Sequence, residues 1–258
     1  MKASFGYSKT TFLVFLLLAA PVVFGKELQK TAKPRPPIIV VDPGHGGNDP
    51  GAVARGIREK EVVLALAKKL AARLKKTGAQ VTLTRAGDRL IPLGERDRIA
   101  NRQSCDLFLS VHANASRNRR AQGVELYYLN RASDRASRRL ARRENAGAPK
   151  QESELAAIVS DLIQAAATEE SAALAQSVQD SVGRQLKKYR LGKVGVKTAL
   201  FYVLVGAKCP SLLIESGFVT NPAEARRLKS AAYQKSLVEG IAVGVERYLK
   251  EKANRGDL

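Results

Sequence analysis

Apolar and polar positions fall in blocks along this chain, and the period changes from block to block. Residues 38–42, 80–84, 106–111 and 124–129 are short apolar runs bounded by Gly, Pro, Asn or Asp, the pattern of buried strands. Between the first two, Val62, Val63, Leu66, Leu70 and Leu74 recur at helical spacing, so a helix is expected over 59–77, with Gly78 as its stop. A shorter helix is expected over 96–103. From 131 to about 189 the pattern is helical and alanine-rich, with no strand candidate. Leu155, Ile158, Val159, Leu162 and Ile163 make one apolar stripe there, and Leu174, Val178, Val182 and Leu186 a second. Strand patterns return at 201–204 and 211–214, and Asn221-Pro222 opens final helices that end near Tyr248. Such alternation predicts an α/β fold: a twisted, mainly parallel sheet flanked by helices, with an inserted helical segment at about 131–177. In these sheets ligand sites collect at the carboxyl ends of the strands.

The N-terminus changes the setting. Lys2 and Lys9 precede an apolar stretch over 12–20, and small or aliphatic residues follow up to Gly25. Residues 1–25 read as a secretory signal peptide, the alternative being an uncleaved anchor. Residues 26–37 carry three prolines and several charges and read as a linker, leaving 38–258 as one domain. No later stretch approaches membrane-span length, so a soluble protein exported to the periplasm or the cell-wall space is expected. The formal net charge is +20, which favours polyanions. For an exported chain, wall polymer or lipid headgroups are the expected partners and nucleic acid is not. Cys105 and Cys209 each precede a strand; as neighbours they form either a disulfide, apt for an oxidising compartment, or two small buried residues.

The chemistry turns on two histidines, the only ones present. His45 follows Ile38-Ile39-Val40-Val41-Asp42-Pro43-Gly44, and His112 ends Leu107-Phe108-Leu109-Ser110-Val111. A lone histidine is more often a core residue, but two at strand ends suggest metal ligands. On a 100° wheel, Glu59 falls on the apolar face of its helix and Glu61 falls opposite, among lysines. A buried carboxylate needs a cation, although a favourable charge at a helix N-terminus is the blander account. Two histidines and a carboxylate form the protein side of hydrolytic zinc sites and equally of non-haem iron sites. Glu215, after Leu212-Leu213-Ile214, is either a structural salt-bridge partner or a general base.

These segments together resemble the zinc-dependent N-acetylmuramoyl-L-alanine amidases of the Amidase_3 type. The resemblance rests on Val41-Asp42-Pro43-Gly44-His45-Gly46-Gly47, Gly56-Ile57-Arg58-Glu59-Lys60, Ser110-Val111-His112-Ala113-Asn114-Ala115 and Glu215-Ser216-Gly217-Phe218-Val219-Thr220-Asn221. It implies one zinc on His45, Glu59 and His112, with Glu215 as the catalytic carboxylate. The implied reaction is hydrolysis of the peptidoglycan amide between N-acetylmuramic acid and L-alanine. Asn114 is then a substrate hydrogen-bonding residue or simply a turn residue. Without the resemblance, a zinc peptidase or deacylase and a non-catalytic basic binding module stand as the other readings.

The segment Arg138-Arg139-Leu140-Ala141-Arg142-Arg143-Glu144-Asn145 looks like the regulated amidases of cell division, in which an inserted helix occludes the zinc site. That implies a role in daughter-cell separation and wall remodelling, with an activator protein docking on the insertion. Family members of this group often carry an N-terminal wall-targeting domain, for which this chain has no room, and a monomer is expected. On a helical wheel Arg131, Arg135, Arg138, Arg139, Arg142 and Arg143 share one broad face and Glu144 points away from it. Glu144 is therefore expected either to take the vacant zinc position as an autoinhibitory group, or to pair with a neighbouring arginine or lie in solvent.

Overall fold

The computed structural model describes residues 1–2, 35–146, 148, 165–189 and 193–256. The signal peptide beyond its first two residues, most of the linker and the Leu155–Ile163 stripe expected from the sequence lie outside them. The linker's last residues belong to the fold: Arg35 forms two hydrogen bonds to Asp106 (2.6 and 2.7 Å), and the Pro37 carbonyl accepts from Gln80 N (2.9 Å).

The elements in chain order are β1 (Ile38–Pro43), a short hairpin β2 (Val53–Ala54) and β3 (Ile57–Arg58), α1 (Glu59–Lys75), β4 (Gln80–Leu83), α2 (Leu93–Arg102), β5 (Leu107–Asn114), β6 (Glu125–Leu129), α3 (Arg135–Glu144), α4 (Ala165–Leu186), β7 (Gly195–Ala199), α5 (Tyr202–Val205), β8 (Ser211–Phe218), α6 (Pro222–Lys229) and α7 (Ala231–Asn254). The main sheet has the order β4-β1-β5-β8-β6-β7. Every pairing in it is parallel except β6 with β8. Among the described residues no helix is long and apolar enough to cross a membrane.

The fold class expected from the sequence is the one observed, with one element misplaced. Residues 201–204, read as a strand, lie mostly in the short helix α5, and the edge strand is β7, six residues earlier. A brief apolar run does not distinguish a buried helical turn from a strand. The β7 sequence, Gly-Val-Lys-Thr-Ala, is only partly buried and so carries little apolar signal.

Strand parity sets where the chemistry lies. Ile39, Val41, Leu107, Leu109, Val111, Leu212 and Ile214 join a core with α1, α4 and α7. Val40, Phe108 and Leu213, of opposite parity, pack with Leu140 and Ala141 of α3 and with Phe201, Val203 and Leu204. Because side chains alternate across a strand, Asp42, Ser110, His112 and Glu215 project to the α3 side. The Cys105–Cys209 disulfide forms at the opposite, amino-terminal ends of β5 and β8.

Candidate metal centre

His45, Glu59, His112 and Glu144 converge at the carboxyl ends of β1 and β5, their ligand atoms all within 4.8 Å of one another. His45 Nε2 lies 3.2 Å from Glu59 Oε1 and 3.2 Å from Glu144 Oε2, and His112 Nδ1 lies 3.2 Å from each of the same two oxygens. A regular tetrahedron with arms of about 2.0 Å has edges of roughly 3.3 Å, so four of the six edges match a tetrahedral zinc shell. His45 Nε2 and Glu144 Oε2 are buried and make no hydrogen bond among the described residues. The donor set and its spacing thus fit a zinc ion.

Each donor is aimed by neighbours. His45 sits in the left-handed region (φ 57°), and its Nδ1 bonds Asp49 Oδ2 at 2.8 Å, which leaves Nε2 to face the site. Glu59, fully buried at the start of α1, accepts from Ala113 N through one oxygen and from Ala52 N through the other, both at 2.8 Å. Glu61 is exposed and pairs with Arg58, as the wheel predicts. The His112 ring rests on Gly44, where a Cβ would come within 2.4 Å of it. Gly51, at φ 65°, has the same relation to His45 and Glu59.

Two buried arginines hold the loop that carries His45. Arg85 donates to the carbonyls of Pro43 (3.0 Å), Gly44 (2.6 Å) and Lys60 (3.0 Å). Arg96 donates to Pro43 O (2.8 Å), His45 O (3.0 Å) and Asp42 Oδ1 (2.8 Å). Thr84 and Ser110 complete the partners of Asp42 at 2.6 and 2.8 Å.

Burial alone would lower both histidine pKa values. Asp49, Glu144 and Glu59 instead raise His45 to about 12, and Glu144 with Glu59 raises His112 to about 9. The cluster therefore demands positive charge at its centre. Glu215 stands in register with His112 on the neighbouring strand. It is fully buried, and among the described residues neither of its oxygens has a hydrogen-bond partner. Burial, reinforced by Glu144 and Glu59, pushes its pKa well above the usual carboxylate range.

The two oxygens of Glu144 face different partners. Oε2 faces the histidines, while Oε1 accepts from Arg143 Nε at 2.8 Å. Arg143 consequently departs from the outer face assigned to it: it turns inward and also donates to Ala115 O at 2.8 Å. Arg135, Arg138, Arg139 and Arg142 are exposed, and Arg131 precedes the helix. Asn114 is buried beside this group and donates through Nδ2 to Glu125 Oε2 at 2.9 Å. The sequence reading passed over Asp49, four residues after His45 in the glycine-rich loop, and the inward turn of Arg143.

A family model described as N-acetylmuramoyl-L-alanine amidase matches residues 39–247. The chain is 37% identical over 225 residues to N-acetylmuramoyl-L-alanine amidase AmiA of Escherichia coli K12, covering 82% of this chain and 75% of that protein. Among solved structures, AmiC2 of Nostoc punctiforme superposes with a TM-score of 0.65 at 31% identity, covering 83% of this chain and 97% of that one. The N-acetylmuramoyl-L-alanine amidase of Clostridium difficile 630 gives a TM-score of 0.65 at 32% identity, covering 85% and 100%. This chain belongs to the N-acetylmuramoyl-L-alanine amidase family.

Proposed function

We propose that this member of the family is an exported, zinc-dependent peptidoglycan hydrolase, acting on the amide between N-acetylmuramic acid and L-alanine and resting in a closed state. The observation that carries the reading is the four-donor cluster beside the unpaired, buried carboxylate of Glu215. His45, Glu59 and His112 hold the metal, one per chain. When bound, zinc supplies Lewis acidity for the scissile carbonyl and for the attacking water. Catalytic zinc sites keep three protein ligands and one open position, whereas structural ones are filled by four. Glu144 supplies the fourth donor, so α3 converts a catalytic ligand set into a closed one.

Glu215 takes the proton of the attacking water and passes it to the departing amine of L-alanine. Its raised pKa reflects partly the charge of Glu144, which leaves the site when α3 lifts, returning Glu215 toward the range of a base. An activator protein docking on the helical insertion shifts the population toward that open state. The disulfide supports an oxidising compartment, hence residues 1–25 as a signal peptide, 26–37 as a linker and the periplasm or wall space as the destination. The role that follows is wall remodelling and daughter-cell separation by a monomeric enzyme that needs no nucleic acid.

The test is digestion of purified, dye-labelled sacculi by matched amounts of folded, zinc-loaded protein, with products read by mass spectrometry. Wild type should release peptides that begin with L-alanine. Glu215→Gln should keep its zinc and slow by roughly 10²–10⁴-fold. Glu144→Ala should release dye faster than wild type. A different bond cut overturns the substrate, and a fully active Glu215→Gln overturns its role. If Glu144→Ala is no faster, the carboxylate is not the block.

A further inference from the structure

We infer that Asn114 Oδ1 and the Ala115 carbonyl form an acceptor pair for a peptide N–H of the substrate, and that Arg143 fills this pair while α3 is seated. The inference rests on the amidase reading above.

The sense of the Asn114 amide is fixed from behind. Its Nδ2 donates to Glu125 Oε2 at 2.9 Å, the same oxygen accepts from Tyr127 OH at 2.9 Å, and Glu125 Oε1 accepts from Lys197 Nζ at 2.7 Å. An ionised carboxylate only accepts, so the asparagine must offer it the nitrogen. The amide oxygen then points the other way, where Arg143 Nη2 stands 3.5 Å off. Arg143 Nη1 meets the adjacent Ala115 carbonyl at 2.8 Å, and Nε meets Glu144 at 2.8 Å. One guanidinium thus joins the carboxylate at the metal centre to two acceptors in consecutive residues at the end of β5. Among the described residues, neither acceptor has another donor.

Arg143 and Glu144 are adjacent on α3 and leave together. Their departure opens the metal position and strips two partly buried acceptors of their donor in the same motion. Buried acceptors without partners are costly, and such a pair selects ligands that bring N–H groups. The guanidinium N–H is planar and sp², as a peptide N–H is, and the proposed substrate carries peptide N–H groups just beyond the bond cut. Arg143 therefore occupies the place of the stem peptide as Glu144 occupies the open position on the metal. Glu125 is a positioning residue for Asn114, not a catalytic one.

The experiment uses the full chain carrying Glu144→Ala and Glu215→Gln, open but inert. Calorimetry measures its affinity for an N-acetylmuramoyl-dipeptide beginning with L-alanine, and for the same compound methylated on the second peptide nitrogen. Methylation should weaken binding roughly tenfold, the size of one lost hydrogen bond, and by less than about twofold once Asn114→Ala is added. Adding Glu125→Gln, whose amide lets Asn114 turn either way, should also shrink the difference without lowering the melting temperature. Equal losses on methylation with and without Asn114 overturn the acceptor pair. If methylation costs nothing while Asn114→Ala still weakens binding, Asn114 meets a sugar hydroxyl and the peptide assignment is overturned. If neither compound binds the open protein, the amidase reading fails and this inference falls with it.

Discussion

Arg85 and Arg96 donate to one and the same carbonyl oxygen, that of Pro43, from 3.0 and 2.8 Å. With Gly44 O on Arg85 and His45 O on Arg96, three consecutive carbonyls are clamped by two guanidinium groups. The clamp matters because His45 itself holds a left-handed backbone conformation, which an L-residue does not choose unaided. Lysine at position 96 would keep the charge and lose the fork that spans Asp42, Pro43 and His45. Arg96→Lys is therefore expected to weaken zinc binding by about 10–100-fold, as loss of an outer-shell support does. Chelator competition reads the affinity, and melting of the metal-free protein checks that it still folds. Unchanged affinity in a folded variant would show that the loop holds its shape alone.

Asp42 gives the fold a defined acid limit. Burial by itself would raise its pKa, but Arg96, Thr84 and Ser110 hold it below the ordinary value of 3.8. A carboxylate with a depressed folded pKa adds stability that is present above the unfolded value and lost as pH falls through the folded one. Asp42→Asn leaves Arg96 buried without its counter-charge, at a cost of about 3–5 kcal/mol near neutral pH. Melting curves against pH should show a constant gap between wild type and variant above pH ~5, narrowing below pH ~4. A gap that does not depend on pH would mean the carboxylate's charge contributes nothing.

The disulfide closes a separation of 104 residues between the starts of β5 and β8. Restricting so long a loop in the unfolded chain stabilises the fold, and its removal should cost about 2–5 kcal/mol. Urea midpoints with and without reductant measure this, and a Cys105→Ser/Cys209→Ser variant should no longer respond to reductant. Because the bond lies at the strand ends opposite His112 and Glu215, zinc content per folded molecule should not change. Loss of zinc on reduction would show that strain travels the length of the strands.

Much of the site is legible in the sequence because each donor stands at an element boundary with its own signal. His45 and His112 end apolar runs, and a wheel suffices to separate Glu59 from Glu61. The close placing of Cys105 and Cys209 follows from β5 and β8 being parallel neighbours. What escapes the sequence depends on tertiary contact. Arg143 belongs to the outer face by periodicity, yet its long side chain bends under the helix end to reach Ala115, a residue 28 positions earlier. Asp49 sits in a loop with no period at all. Among the described residues strand β7 pairs with β6 alone, so its half-exposed residues have no reason to look like a core.

Glu144 is carried by the same polypeptide as the histidines it faces. On the closed-state reading proposed above, the balance between seated and lifted α3 is a first-order equilibrium, with the same ratio in a dilute solution as in a crowded compartment. Making ten times more of this protein yields ten times more open molecules but the same open fraction. On that reading gene dosage scales the output without changing the setting, and a ligand moves it by distinguishing the two states of α3.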